Sequence, residues 1–274
     1  MATRTSLTKD QPVGIFDSGI GGLTVAYAIK QMMPNERLIY FGDTAHLPYG
    51  DKSEAAIQAY SIRIADVLLS KKCKVIVIAC NSASSAAYEL LKEYVRNSVE
   101  VINVIDPMVQ SVIEKFPGRT VGLIGTKRTI QSGIYTRKIE AAGKNITLHS
   151  LPAPLLVTMI EEGFFNNNIS HEIIEKYLRD PLLGNIDALI LGCTHYPLIK
   201  KEINEFYQGR VSVLDSSEVV ARALYDHLKT NVLLSTDPSG EDHFLVTDYT
   251  ESFEASTKLF FHQAVHLEKH PLWG

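Results

Sequence analysis

The chain has 274 residues, 45% hydrophobic and 21% charged, with a formal net charge of −4, long enough for two domains with separate cores and too mildly acidic to carry an electrostatic footprint for nucleic acid or an anionic membrane. No apolar run reaches the length of a membrane span, and residues 1–11 are polar, without the apolar centre of a secretory leader. Three cysteines with no close pairing make no disulfide framework, so a reducing, cytoplasmic setting is expected.

Residues 13–17 read as a first strand and 18–22 as a tight, glycine-rich turn into a helix with Leu23, Ala26, Ile29 and Met33 on its apolar side, ended by Pro34. The glycine spacing fits neither a dinucleotide fingerprint nor a P-loop, and alone the turn reads as strand–helix punctuation. Asp17 tells more, because a carboxylate ending a buried strand is costly unless it faces a cleft or a partner. Residues 37–43 give a second strand, again ending in an aspartate, and the loop 44–51 holds His46, read as solvated, and Pro48, Tyr49 and Gly50. Ser53 starts the next helix.

Residues 75–82 are a continuous apolar run ending in Cys80, Asn81 and Ser82; residues 188–195 repeat the pattern, ending in Cys193, Thr194 and His195. Such runs fit strands buried on both faces of a parallel sheet. A helix follows each, the first capped by Ser82 and the second carrying Pro197 at its start. Both thiols therefore fall at the carboxyl end of a strand and the positive end of a helix, where open α/β sheets bind ligands and thiolates form more readily. Cys73, in the polar lead-in 71–74, is read as structural.

Residues 99–105 form a short strand closing on Asp106 and Pro107, where a domain crossing is placed. A second α/β unit begins with a helix over 109–115, a strand over 120–124 and a polar turn holding Thr126, which echoes Ser18. Ser18 and Cys80 thus recur in order as Thr126 and Cys193, the mark of two related halves facing each other. Residues 151–163 predict a helix ending in Glu161 and Glu162, by itself the pattern of a surface terminus, with a cleft-facing role for one of the acids as the alternative, and 170–183 predict a further helix. After the second cysteine come a strand over 211–215, a helix from Ser216 or Ser217 that returns to the first half, a polar loop over 230–242, a strand over 243–248 and a helix over 252–266. The expected organisation is two similar α/β domains with mostly parallel sheets and the site between them: 1–105 plus 212–274, and 106–211. His266 and His270 do not match a metal-binding helix, and no metal is expected.

Two thiols on opposite walls of a cleft do not suit a disulfide oxidoreductase, which uses C-x-x-C, or a cysteine hydrolase, which leaves one thiol unexplained. Zinc needs more ligands at closer spacing. They do suit proton transfer at both faces of one carbon, a thiolate removing the α-proton while the opposite thiol delivers another. No lysine stands out as a Schiff-base site for pyridoxal phosphate, so the carbanion must be stabilised by rigid binding and aimed donors, and no cofactor is expected. Asp17 and His195 are placed to adjust the thiols.

The segments Asp17–Gly22, Pro48–Gly50, Cys80–Ser82, Glu161–Gly163 and Gly192–His195 resemble those of the glutamate racemases, in order along essentially the whole chain. The resemblance implies cofactor-independent interconversion of L- and D-glutamate, supplying D-glutamate for peptidoglycan. It assigns Cys80 to the D-enantiomer and Cys193 to the L-enantiomer, with Asp17, Glu161 and His195 assisting. Ser18, Tyr49, Gly50, Asn81, Ser82, Thr194 and His195 are implied to bind substrate; Asp17, Pro48 and Thr126 are expected to join them. Ser82 departs from the family's usual threonine but keeps the hydroxyl. A homodimer of two-domain subunits is implied as well. The rivals are an aspartate racemase and, from another class, a non-catalytic anion-binding protein.

Overall fold

The computed structural model describes residues 7–96, 98–237 and 240–273; the start of the polar N-terminal stretch and residues 238–239 of the polar loop lie outside them. The first half runs β1 (Val13–Asp17), α1 (Leu23–Met32), β2 (Leu38–Gly42), α2 (Glu54–Ser70), β3 (Val75–Ile78), α3 (Asn81–Val95), β4 (Glu100–Asn103) and α4 (Ile105–Lys115). The second continues with β5 (Thr120–Gly125), α5 (Lys127–Gln131), α6 (Ile134–Ala141), β6 (Thr147–Pro152), α7 (Leu155–Glu161), α8 (Asn168–Leu178), β7 (Ala188–Gly192), α9 (Lys200–Tyr207) and β8 (Ser212–Asp215). The chain then returns through α10 (Ser216–Thr230), β9 (His243–Val246), α11 (Glu251–Phe261) and β10 (Leu267–Lys269).

Two sheets result, ordered β10-β9-β2-β1-β3-β4 and β6-β5-β7-β8. Every pairing is parallel. The central strands β1, β2, β3 and β7 are buried at every residue, as a sheet covered on both faces requires. Both sheets share the order second-first-third-fourth, so β5 matches β1 and β7 matches β3. In such a sheet the crevice opens between the first and third strands, at their carboxyl ends. Ser18 and Cys80 leave one crevice; Thr126 and Cys193 leave the other. The fold is thus two α/β domains with parallel sheets.

Helices α1, α4 and α10 sit on one face of the first sheet, and their apolar side chains run without a break into the core of the second. Helices α2 and α3 cover the opposite face through a separate cluster that includes Cys73, whose thiol burial pushes up to about 12. Lys74, expected to be polar lead-in, is wholly buried: its Nζ is 2.6 Å from Glu36 Oε2 and donates to Lys9 O and Leu233 O. A buried ammonium is tolerable only with such a full set of partners. No helix among the described residues is long and apolar enough to cross a membrane.

The structure corrects several sequence boundaries. Strand 212–215, expected with the first half, pairs with β7 in the second sheet, and the chain crosses back only after it, with α10. The crossing at Asp106 and Pro107 lies inside α4, whose first turn accommodates a proline, with Asn103 Oδ1 accepting the N–H groups of Ile105 and Asp106. The helix expected over 252–266 stops at Phe261, where His262 turns left-handed (φ 58°) and frees the chain to form β10. His266 pairs with Glu254 while His270 lies edge-on to Phe41, so the two rings serve separate contacts.

Candidate active site

Cys80 lies two residues beyond the end of β3 and is itself the N-cap of α3, a place expected for Ser82. Its Sγ accepts the Ala83 N–H at 3.5 Å and lies 3.7 Å from Ser18 Oγ. These contacts favour a thiolate, yet burial and the neighbouring Asp17 charge outweigh them and push the thiol up to about 12. At neutral pH Cys80 is a proton donor, contrary to the simple expectation from a helix N-terminus. Asp17, wholly buried, accepts the Gly19 N–H at 3.0 Å through Oδ2, while its Oδ1 has no hydrogen-bond partner among the described residues. Burial pushes this carboxyl up; His195 and the Gly19 N–H pull against it.

On the facing wall, Cys193 follows β7, and its Sγ is 3.7 Å from His195 Nδ1. His195 Nε2 is 3.0 Å from Glu161 Oε1 at the end of α7, and Phe260 packs edge-on to the ring. Glu162 is exposed, so of the two acids Glu161 is the one directed inward. Burial pushes His195 down, but hydrogen bonding and charge from Cys193 and Glu161 outweigh it and lift the ring to about 10. The imidazole is therefore a cation at neutral pH, wedged between a carboxylate and a sulfur.

The raised value ties stability to pH. Between the ordinary histidine value of 6.5 and about 10 the folded protein binds more protons than the unfolded chain. The stabilisation is complete below 6.5 and is lost as pH rises through about 10. The full loss is on the order of 5 kcal/mol. Thermal unfolding of His195→Gln is expected to show a distinctly smaller drop in midpoint from pH 7 to pH 10.5 than the wild type; equal drops would refute the pairing.

Both sulfurs line one cavity, together with Ser18, Gly19, Leu47, Pro48, Tyr49, Gly50, Asn81, Ser82, Thr126, Val157, Glu161, Thr194 and His195. Asp17 lies directly behind this lining, close enough to bear on both Cys80 and His195. The halves touch across the cleft: Ser82 Oγ is 2.9 Å from Thr126 Oγ1, and a Cβ on Gly50 would come within 3.0 Å of Thr126. The Thr24 hydroxyl lies 3.1 Å from Thr194 O. Asn81 is held by Tyr135, whose hydroxyl donates to its Oδ1 at 2.9 Å; Asn81 Nδ2, also buried, has no partner among the described residues. Tyr49 is buried and its hydroxyl donates to Asp43 at 2.7 Å, so that proton is not available to a ligand.

The sequence reading missed Asp43, Thr24 and Tyr135 as supports of the site. Asp43 alone carried a signal, as the second strand-ending aspartate. His46, expected in solvent, is half-buried, bonded to Asp43 at 3.0 Å and stacked on Tyr60.

Two thiols on one cavity between two α/β domains, one beside a cationic imidazole and the other held protonated, are the equipment of an isomerase that moves a proton across a carbon. The chain matches the Asp/Glu/Hydantoin racemase family over residues 24–224. It is 40% identical over 253 residues to the glutamate racemase of Aquifex aeolicus, covering 92% of this chain and 95% of that one. Among solved structures, glutamate racemase from Francisella tularensis in complex with D-glutamate superposes with a TM-score of 0.88 at 40% identity, over 96% and 98% of the two chains. A glutamate racemase isoform from Bacillus anthracis gives 0.90 at 31% identity, over 96% and 99%. The chain belongs to the Asp/Glu/Hydantoin racemase family. It is an isomerase, and the non-catalytic anion-binding alternative falls.

Proposed function

We propose that this protein interconverts L- and D-glutamate without a cofactor, passing the α-proton between Cys193 and Cys80. The carrying observation is that both sulfurs, at the ends of strands equivalent in the four-strand order the two sheets share, line a single cavity. In the L-to-D direction the Cys193 thiolate, stabilised by the His195 cation that Glu161 holds from its other side, takes the α-proton from one face. The Cys80 thiol gives its proton to the other. The product is D-glutamate, with Cys193 now a thiol and Cys80 a thiolate; either the reverse reaction or, after product release, proton exchange with solvent restores both.

The unpartnered buried atoms fit two of the substrate's three charged groups. Asn81 Nδ2 is a free donor for a carboxylate, and Asp17 Oδ1 a free acceptor for the ammonium. The α3 N-terminus adds N–H groups beside the carbon where negative charge develops, the preorganised stabilisation that a carbanion with no electron sink needs. Ser18, Ser82, Thr126 and Thr194 complete the polar lining, while Pro48, Tyr49 and Gly50 close one side. The metabolic role is supply of D-glutamate for peptidoglycan, in the cytoplasm, by a homodimer of two-domain subunits.

Incubation of the purified protein with L-glutamate in D₂O, without added pyridoxal phosphate, is expected to yield D-glutamate by chiral chromatography and α-deuterium by NMR. Absence of both refutes the proposal. Faster turnover of aspartate in the same assay reassigns the substrate.

A further inference from the structure

We infer that Trp273, the single tryptophan of the chain, is a positioning residue for the substrate loop around Tyr49, acting through Asp43. This rests on the glutamate-racemase reading above. Asp43 is wholly buried, and its carboxylate is the meeting point of segments far apart in sequence. Oδ1 accepts Trp273 Nε1–H at 2.8 Å and the Thr247 hydroxyl at 2.9 Å; Oδ2 accepts the Tyr49 hydroxyl at 2.7 Å. His46 Nδ1 lies 3.0 Å from Oδ2. A buried carboxylate held by several donors is fixed in orientation, and removing one donor leaves charge under-compensated and free to turn toward the others.

The rings repeat the connection. Trp273 is edge-on to His46 (4.6 Å) and to Tyr60 (5.2 Å), and Tyr60 lies 5.7 Å from Tyr49. Arg63 fastens the strap from outside, donating to Leu272 O at 3.2 Å with its guanidinium 5.5 Å from the Trp273 ring. Trp273 does not line the substrate cavity, whereas Pro48, Tyr49 and Gly50 do. Its influence on substrate therefore passes through the seating of that loop. The reacting sulfurs sit on the other strand ends, so binding should suffer more than chemistry.

The test compares wild type, Trp273→Phe, which keeps a ring but loses the N–H donor, and Trp273→Ala. KM for glutamate is expected to rise about threefold in the first and about tenfold in the second, with kcat within about twofold of wild type. Unchanged KM in Trp273→Ala, or a fall in kcat at constant KM, overturns the inference, since the latter marks only a loss of folded enzyme. Amide hydrogen exchange supplies a readout that needs no turnover. Residues 44–52 should exchange faster in Trp273→Ala, while residues 75–80 stay unchanged. Equal exchange at 44–52 in the two proteins overturns the inference even if glutamate proves not to be the substrate; wild type inert toward glutamate but showing the exchange difference overturns only the substrate reading.

Discussion

Cys80→Ser and Cys193→Ser are each expected to lower glutamate racemisation by about 10³-fold or more. Both changes preserve shape, and the hydrogen bonds that the Cys80 sulfur makes are long, at 3.5 and 3.7 Å, so the fold should survive. A serine hydroxyl is too weak an acid and too weak a base in its alkoxide-free form to take over either proton transfer. Each variant nevertheless keeps one thiol, and a single thiol can remove and return a proton on its own face. In D₂O, Cys193→Ser should therefore label D-glutamate without inverting it, and Cys80→Ser should label L-glutamate. The two variants should not be equivalent, because Cys80 rests as a thiol raised to about 12 while Cys193 faces the His195 cation. Labelling of both enantiomers by one single variant, or racemisation within tenfold of wild type, would sink the two-thiol mechanism.

Much of this site is legible in the chain because its chemistry sits at strand ends. The runs before Asp17, Cys80 and Cys193 are fully buried strands, and continuous apolar composition announces them without ambiguity. The recurrence of Ser18 and Cys80 as Thr126 and Cys193 becomes, in three dimensions, the same four-strand order within both sheets, which the first sheet extends by β9 and β10. What local pattern did not show is of three kinds. Strands β6 and β10 lie at sheet edges, half-exposed and mixed in composition, so period and hydropathy give them little signal. Contacts such as Asp43 with Thr247 and Trp273 join residues more than two hundred positions apart and leave no trace in either segment. The membership of β8 is a third case. A strand's period reveals which faces it buries, not which neighbouring sheet it will extend, and β8 lies just before the crossing helix.

The glycine turn after β1 shows how a residue read as punctuation becomes part of the chemistry. Gly21 has no positive φ, so no backbone conformation demands glycine there. Space does: a Cβ at this position would lie 2.5 Å from His195 Nδ1 and 2.8 Å from Thr194 Oγ1, inside any tolerable contact. The turn of one domain is thus pressed against the acid/base loop of the other, and His195 has Phe260 beside it and Glu161 beyond, leaving little room to retreat. Gly21→Ala must push the ring off its line to Cys193. A shift of that order in an acid/base pair lowers kcat by about 10²-fold, and the overpacking itself destabilises by about 1–3 kcal/mol. Gly184→Ala is the matched control, since its Cβ would meet only Pro181 O at 3.5 Å, far from the cleft. The loss in Gly21→Ala should be accompanied by a drop in the His195 value measured by NMR titration, because distance from Cys193 and Glu161 weakens the interactions that hold it near 10. A Gly21→Ala enzyme with kcat within threefold of wild type and an unmoved His195 titration would mean that the ring is not held against the turn, and that Cys193 takes its activation from elsewhere.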